Sequence, residues 1–216
     1  MSYYPVTGSK FFVSSGFASA KTITSVTNAS PPVCTSTAHG YSDLDEVLIA
    51  TSGWEDFAYS MFRVNQLTTD TFDVTNFDAT DTDWYPAGSG AGTATKVSGW
   101  TELGQVLGVT GSGGDPKNIT VSPLNRRTDI LLPVGFNASS LQFELGYDPA
   151  LADQVALAAA SRSLDKRAFK FTLPGSAYAY CYGTVSMSPI PTFDAGSVMR
   201  RTVNVSIDGL FTFFTS

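Results

Sequence analysis

The 216-residue chain predicts a mainly β fold with one flanking helix, a sandwich or barrel-like body interrupted by a small inserted β-module. Three observations carry this. Most of the sequence is short runs rich in β-branched and aromatic residues, punctuated by Gly, Pro, Asn, Asp and Ser. Charged residues are only 15% of the chain, too few for a set of solvent-facing helices. A single segment has helical caps and helical spacing.

Taken in order, the predicted strands begin with Lys10–Ser15, Thr22–Thr27, Glu46–Ser52, Met61–Leu67 and Thr71–Phe77. The last two are joined by Thr68-Thr69-Asp70, a connection short enough for a hairpin. Gly92–Val97, Leu103–Val109, Asn118–Leu124 and Ser140–Tyr147 follow. In the last of these Leu141, Phe143 and Leu145 share one face and Gln142 and Glu144 the other, so one side is buried and the other wet. Ala168–Leu173, Ala177–Ser188 and Arg201–Phe213 complete the set. The apolar C-terminal "GLFTFFTS" would be an aggregation hazard as a lone edge, so it is expected to pair.

The helix is expected at about residues 149–165. Asp148 can cap it, Pro149 suits its first turn, Asp153 lies toward the positive dipole end, and Lys166 and Arg167 lie toward the negative one. Leu151, Val155 and Ala158/Ala159 make a narrow apolar stripe for packing on a sheet. Residues 25–97 are rich in Thr and Asp and end in the loop-like "YPAGSGAGTATKV". This composition shift divides the chain into a body, 1–24 and 98–216, and an inserted module, 25–97.

Thirteen basic and 19 acidic side chains leave a net charge of -6, which gives no footprint for gripping nucleic acid. Cys34 and Cys181 match no metal spacing and no disulfide framework, so both read as buried small hydrophobes. The first residues lack the basic and apolar regions of a signal peptide. The longest apolar run, Val155–Ala160, is too short to cross a bilayer. The expectation is a soluble protein made in a cytoplasm, without membrane insertion.

The stretch "GVTGSGGDPKN", Gly108–Asn118, raises the question of a phosphate loop. Such a loop needs a Lys-Ser/Thr pair opening a helix, whereas Lys117 leads into the strand-like Asn118-Ile119-Thr120-Val121. A strand-to-strand connection is the better reading. His39, the only histidine, stands near Asp43, Asp45 and Glu46. These four are either a metal or catalytic cluster or one polar turn with its acids solvated, and a single turn specifies the turn more readily. No hydrolase, metalloprotease or calcium-loop motif accompanies them. No catalytic residue, metal site or cofactor is therefore assigned.

Tyr178, Tyr180 and Tyr182 line one face of a strand. They are either a platform that stacks sugars or bases, or a sheet face covered by a helix or a neighbouring subunit. No basic residues interleave with the rings, which favours the covered face.

At "WTELGQVLGVTGSGGDPKNITVSPLN…LQFELGYDPAL", and again at "KRAFKFTLP" followed by "YGTVSMSPIPTFDAGSVMRRTVNVSIDG", the chain resembles the major tail tube proteins of long-tailed bacteriophages. The resemblance covers about residues 1–23 and 98–216. The insert, with "VCTSTAHGYSDLDEVLIATSG" and "TFDV", is similar to a small β-module of phage structural proteins and is absent from shorter relatives.

The resemblance implies a structural, non-enzymatic subunit of a virion tail of the non-contractile, siphovirus type. Six copies would close into a ring, and rings would stack into a hollow tube for DNA ejection. Partners would be further copies, a tape measure protein, tail initiator or distal tail proteins and a tail terminator, with DNA passing transiently and unbound. An acidic, Lys-poor lumen wall would limit friction on DNA. By the same logic "GVTGSGGDPKN" and the 125–139 loop, "NRRTDILLPVGFNAS", reach between rings, with Gly111, Gly113 and Gly114 as pliable points. Arg126, Arg127 and Asp129 would make inter-subunit ion pairs, and the insert would decorate the exterior. The alternative function is a virion surface module that binds a host carbohydrate through the insert or the tyrosine face.

Overall fold

Alternating side chains build the predicted strands into one continuous ladder. A computed structural model describes residues 7–51 and 53–215. In chain order the strands before the helix are β1 (Lys10–Phe17), β2 (Lys21–Ile23), β3 (Ser25–Val26), β4 (Val33–Thr35), β5 (Glu46–Thr51), β6 (Ser60–Gln66), β7 (Thr71–Val74), β8 (Gly92–Glu102), β9 (Val106–Ser112), β10 (Pro116–Val121), β11 (Ile130–Phe136) and β12 (Ser140–Gly146). The helix α1 (Ala152–Ser163) precedes β13 (Lys166–Leu173), β14 (Ala177–Met187), β15 (Arg200–Ile207) and β16 (Thr212–Thr215). The main sheet runs β3-β4-β7-β6-β5-β8-β1-β13-β14-β15-β12-β9, while β10 and β11 pair only with each other.

Two cores share the β13–β14 layer. On one face Phe169, Phe171, Ala179, Cys181 and Val185 pack with Phe143, Val203 and Leu157 of α1. On the other, Ala168 and Tyr180 join Phe214 and the insert's Trp54, Phe57, Phe62 and Phe72. Period-two alternation in β14 separates the faces, sending odd positions to the first core and Tyr178, Tyr180 and Tyr182 to the second. Each fully buried aromatic of residues 25–97 contributes about 1.5–3 kcal/mol to a core shared with Ala168, Tyr180 and Phe214.

Strand β8 crosses the expected boundary at residues 97 and 98. Its first half pairs with β5 and its second half with β1. The module is thus joined to the body through an unbroken strand. The Thr68–Asp70 hairpin forms between β6 and β7, with the Leu67 N–H donating to the Thr71 carbonyl at 3.1 Å. The C-terminal strand β16 pairs with β14, as its apolar sequence requires.

Several expectations need correction. The 125–139 segment is not a loop, because Ile130–Phe136 forms β11 against β10. Val33–Thr35 adds a strand, and Arg201–Phe213 splits in two at Asp208-Gly209, where the Leu210 N–H donates to Ser60 Oγ. The helix is shorter than 149–165, and its N-cap is Leu151 without a side-chain cap; Asp148 instead accepts from the Ala150 N–H. The buried helical face is Asp153, Gln154, Leu157 and Ala160, whereas Val155 of the expected stripe is 56% exposed. The phase is set by backbone needs. Asp153 accepts from the Gly104 N–H at 2.7 Å, and Gln154 donates to the Gly146 carbonyl, so the helix clamps two strand ends.

Candidate functional site

Glycine decides the shape of the segment from β9 to β12. These two strands pair with each other from Leu145 opposite Val106 up to Ser140 opposite Ser112. The chain then continues as a second ladder, β10 against β11, so the whole segment is one long hairpin bent near its middle. The bend lies at Gly113 and Gly114, with φ of +94° and +77°, backbone that a side chain disfavours. A Cβ at Gly113 would collide with the Ala138 carbonyl oxygen. The Gly114 N–H donates to the Asn137 carbonyl at 3.1 Å and the Asn137 N–H to the Asp115 carbonyl at 2.9 Å, which holds the bend. Gly111 lies within β9 and packs against Leu141. Lys117 is in β10, with no helix following, so the phosphate-loop geometry does not arise.

Beyond the bend the hairpin arm stands free of both cores. Ile119 pairs with Leu132, and Val121 with Ile130, so four apolar side chains share one face. Thr120–Leu131 and Asn118–Pro133 pairs form the other. An isolated two-stranded ribbon is marginal in water, and this one exposes Ile119, Leu131, Leu132, Val134 and Phe136. At its tip Leu124 is fully exposed, and Asp129 accepts from Ser122 Oγ at 2.6 Å, closing the turn. Arg126 and Arg127 have no ion-pair partner among the described residues. The sequence-predicted contact residues thus fall on one structural unit: Gly113 and Gly114 at its bend, Arg126, Arg127 and Asp129 at its tip, and Gly111 just below.

A second unpartnered surface is the edge of the main sheet. Strand β9 bonds β12 on one side and no other strand among the described residues. It carries no charge and no proline, the usual guards of an exposed edge.

The other candidate residues serve the fold. His39 is 2% exposed, accepts from the Tyr41 N–H through Nδ1 at 3.0 Å and donates through Nε2 to the Thr68 carbonyl at 3.1 Å. That pattern fixes the Nε2–H tautomer and uses both nitrogens, which leaves none for a metal or a proton transfer. Of the nearby acids Asp43 is exposed, as expected of a polar turn, whereas Asp45 and Glu46 are largely withdrawn from water. Asp43 accepts from the Gln66 N–H, Asp45 pairs with Lys96 at 2.7 Å, and Glu46 pairs with Lys170 at 2.7 Å. Among the described residues no group of three or more His, Cys, Asp or Glu side chains is placed to hold a metal.

The tyrosine face is covered, and by the insert of the same chain. Tyr180 is 1% exposed and donates to Glu46 of β5 at 2.7 Å. No sugar can stack on it. Burial, then the charge of Glu46, pushes the Tyr180 hydroxyl well above the usual tyrosine range. The cysteines are fully buried and free.

Charge is unevenly divided. Residues 25–97 hold ten of the carboxylates and only Arg63 and Lys96 as cations, a net of -8; the remaining chain has nine acids and eleven basic side chains, a net of +2. The acidic character expected of a lumen wall therefore belongs to the insert and not to the body.

The phage tail tube protein family model matches residues 52–216, more than half of the chain. The chain belongs to the phage tail tube protein family. It is a structural protein of the bacteriophage tail, and the match runs through the second half of the insert as well as the body from β8 onward. No curated protein matches it. None of the described helices is long and apolar enough to cross a membrane. The exposed apolar arm and unguarded edge are what a polymerising subunit needs, since self-association is the way such surfaces are removed from water. Alternation alone could not show the arm, because Pro133 interrupts β11 and both of its faces carry apolar residues.

Proposed function

We propose that this tail tube protein closes into rings of six copies that stack into a hollow conduit for DNA. The single observation that carries this beyond family membership is the free hairpin arm, residues 116–136, which buries nothing within its own chain. Six-residue strands span about 20 Å, enough for the arm to extend past the body toward a neighbouring ring. Strand β9 is a natural seam within a ring, where pairing with another copy removes the open edge.

In this reading the bend at Gly113 and Gly114 gives the arm its angle, and the arm supplies the inter-ring grip. The insert, packed on the tyrosine face away from α1, lies on the outside of the tube. The body's small net charge leaves DNA free to pass without specific binding. A tape measure protein within the tube, an initiator or distal tail complex at one end and a terminator at the other are the expected partners. The subunit is made in the bacterial cytoplasm and assembled there. Electron microscopy of the purified protein tests the reading. Rings or hollow filaments with a clear channel are expected; a strict monomer at high concentration, even with initiator proteins present, would overturn it.

A further inference from the structure

The arm's apolar face and its two arginines call for an apolar, acidic surface, and two exposed surfaces of the chain differ in how well they meet that need. One is the flank of α1, a groove of about 310 Å³ lined by Val13, Thr101, Ala156, Leu157 and Arg167. A neighbouring depression on the other side of the helix carries Arg162 and Arg201. Arg162 and Arg201 face the second of these, so an arm tipped with Arg126 and Arg127 meets like charge there, while in the first Arg167 already has its carboxylate partner in Asp165.

The other lies toward the sequence end of the insert, at residues 81–85. Trp84, just after Asp81 and Asp83 in sequence, is 72% exposed, a large indole that the insert's own core leaves out. Asp56, Asp81 and Asp78 lie close enough to Tyr85 to raise its hydroxyl above the ordinary range, after the larger effect of burial. This end therefore concentrates negative charge around an open aromatic surface, within a module of net -8. Guanidinium groups suit such a surface, because they stack flat on indole while pairing with carboxylates. Leu124, fully exposed beside the arginines, supplies an apolar contact for the same ring.

We propose that the hairpin tip of one subunit docks on this acidic, Trp84-bearing end of the insert of a second copy, with Arg126 and Arg127 against Asp81, Asp83 and the indole. The contact is heterologous: tip and receptor are different surfaces of one chain, and repetition extends a polymer instead of closing a dimer. The inference rests on the tube reading and adds to it a partner surface for the arm. It also gives the insert a task in assembly, as the receptor that holds successive copies in register.

Two measurements on the full chain test it. In a chain carrying both Arg127→Cys and Asp83→Cys, mild oxidation of assembled tubes should give a ladder of covalent multimers on a non-reducing gel. Either single variant should give none, since Cys34 and Cys181 are buried. Separately, R126E/R127E should lower the yield of pelletable tubes at least tenfold, and adding D81K/D83K to the same chain should restore it. Wild-type tube yield in R126E/R127E, or assembled tubes of the double-cysteine chain without a ladder, overturns the docking and leaves the tube reading standing. Failure of the wild-type chain to form any tube removes both.

Discussion

Glu46 and Tyr180 lie 134 positions apart in sequence, yet the Tyr180 hydroxyl donates to Glu46 Oε1 at 2.7 Å. The same carboxylate pairs with Lys170 Nζ at 2.7 Å and accepts from the Trp100 indole N–H. Lys170 in turn lies 5.5 Å from the centre of the Tyr178 ring and 5.6 Å from that of Trp100. One side chain of the insert thus satisfies three donors of the body, in a site where Glu46 and Lys170 are both mostly buried. Glu46→Ala leaves Lys170 and Tyr180 without their acceptor and should cost about 3–5 kcal/mol of unfolding free energy. Tyr180→Phe removes one donor of three and should cost about 1–2 kcal/mol. Urea titrations of the two variants check the order; equal losses would show that Glu46 is not the centre of the network.

Because the insert covers the tyrosine face, its removal should not leave a soluble body. Joining β2 directly to β8 across residues 25–91 uncovers Tyr180, Phe214 and Ala168, all of them now buried. The expected result is aggregation, relieved by polar replacements on that face. A soluble, folded truncation with the native tyrosines would show that the second core is dispensable.

Gly113→Ala places a methyl group against the Ala138 carbonyl, at a positive φ. The strain of roughly 1–2 kcal/mol or more falls on the arm's bend and not on either core. Thermal unfolding of the monomer should therefore change little while tube formation drops sharply. A variant that assembles like the wild type would make the bend a spacer only.

Alkali should destabilise the module through groups that burial keeps protonated. The Cys34 thiol is pushed up to about 12, first by burial and then by the charge of Asp73; Tyr41 is also pushed up to about 12, by burial and then Asp45. In both, the folded value lies above the unfolded one, near 9.0 for the thiol and 10.0 for the phenol. Their stabilising effect is full below about pH 9 and is lost as pH rises toward 12, because only the unfolded chain can release these protons there. The slope is about 1.4 kcal/mol per pH unit for each group. Unfolding titrations at pH 8, 10 and 11 should show this fall, reduced in Cys34→Ala. A thiol reagent at pH 8 should label neither cysteine in the native protein.

Local sequence determined much of the fold. Strand alternation in Ser140–Gly146, the short Thr68–Asp70 turn and the charge-polarised segment around α1 each follow from interactions between near neighbours, which a single chain displays directly. Of the glycines in 108–114, Gly113 and Gly114 likewise marked a connection with unusual backbone, whereas Gly108 and Gly111 lie within β9. What lay beyond reach was set by partners distant in sequence. Helix phase answered to the Gly104 and Gly146 backbones, so Val155 faces water although it is apolar. The tyrosine stripe read as an open face or one covered by a helix or a neighbouring subunit, because nothing near residue 180 reveals that Glu46 sits on it. Likewise the 125–139 half of the arm read as a loop, although Asn118–Leu124 read as a strand, since Ile130–Phe136 lacks a wet and a dry side. The sequence by itself determined that this is a β protein with one helix, a net charge of -6 and glycines where the backbone turns. Only the tertiary structure decided that the insert seals the body's second core and that one hairpin is left with no core to join. Burial and pairing between remote segments are global properties, and they assign each apolar face either to the interior or to another molecule.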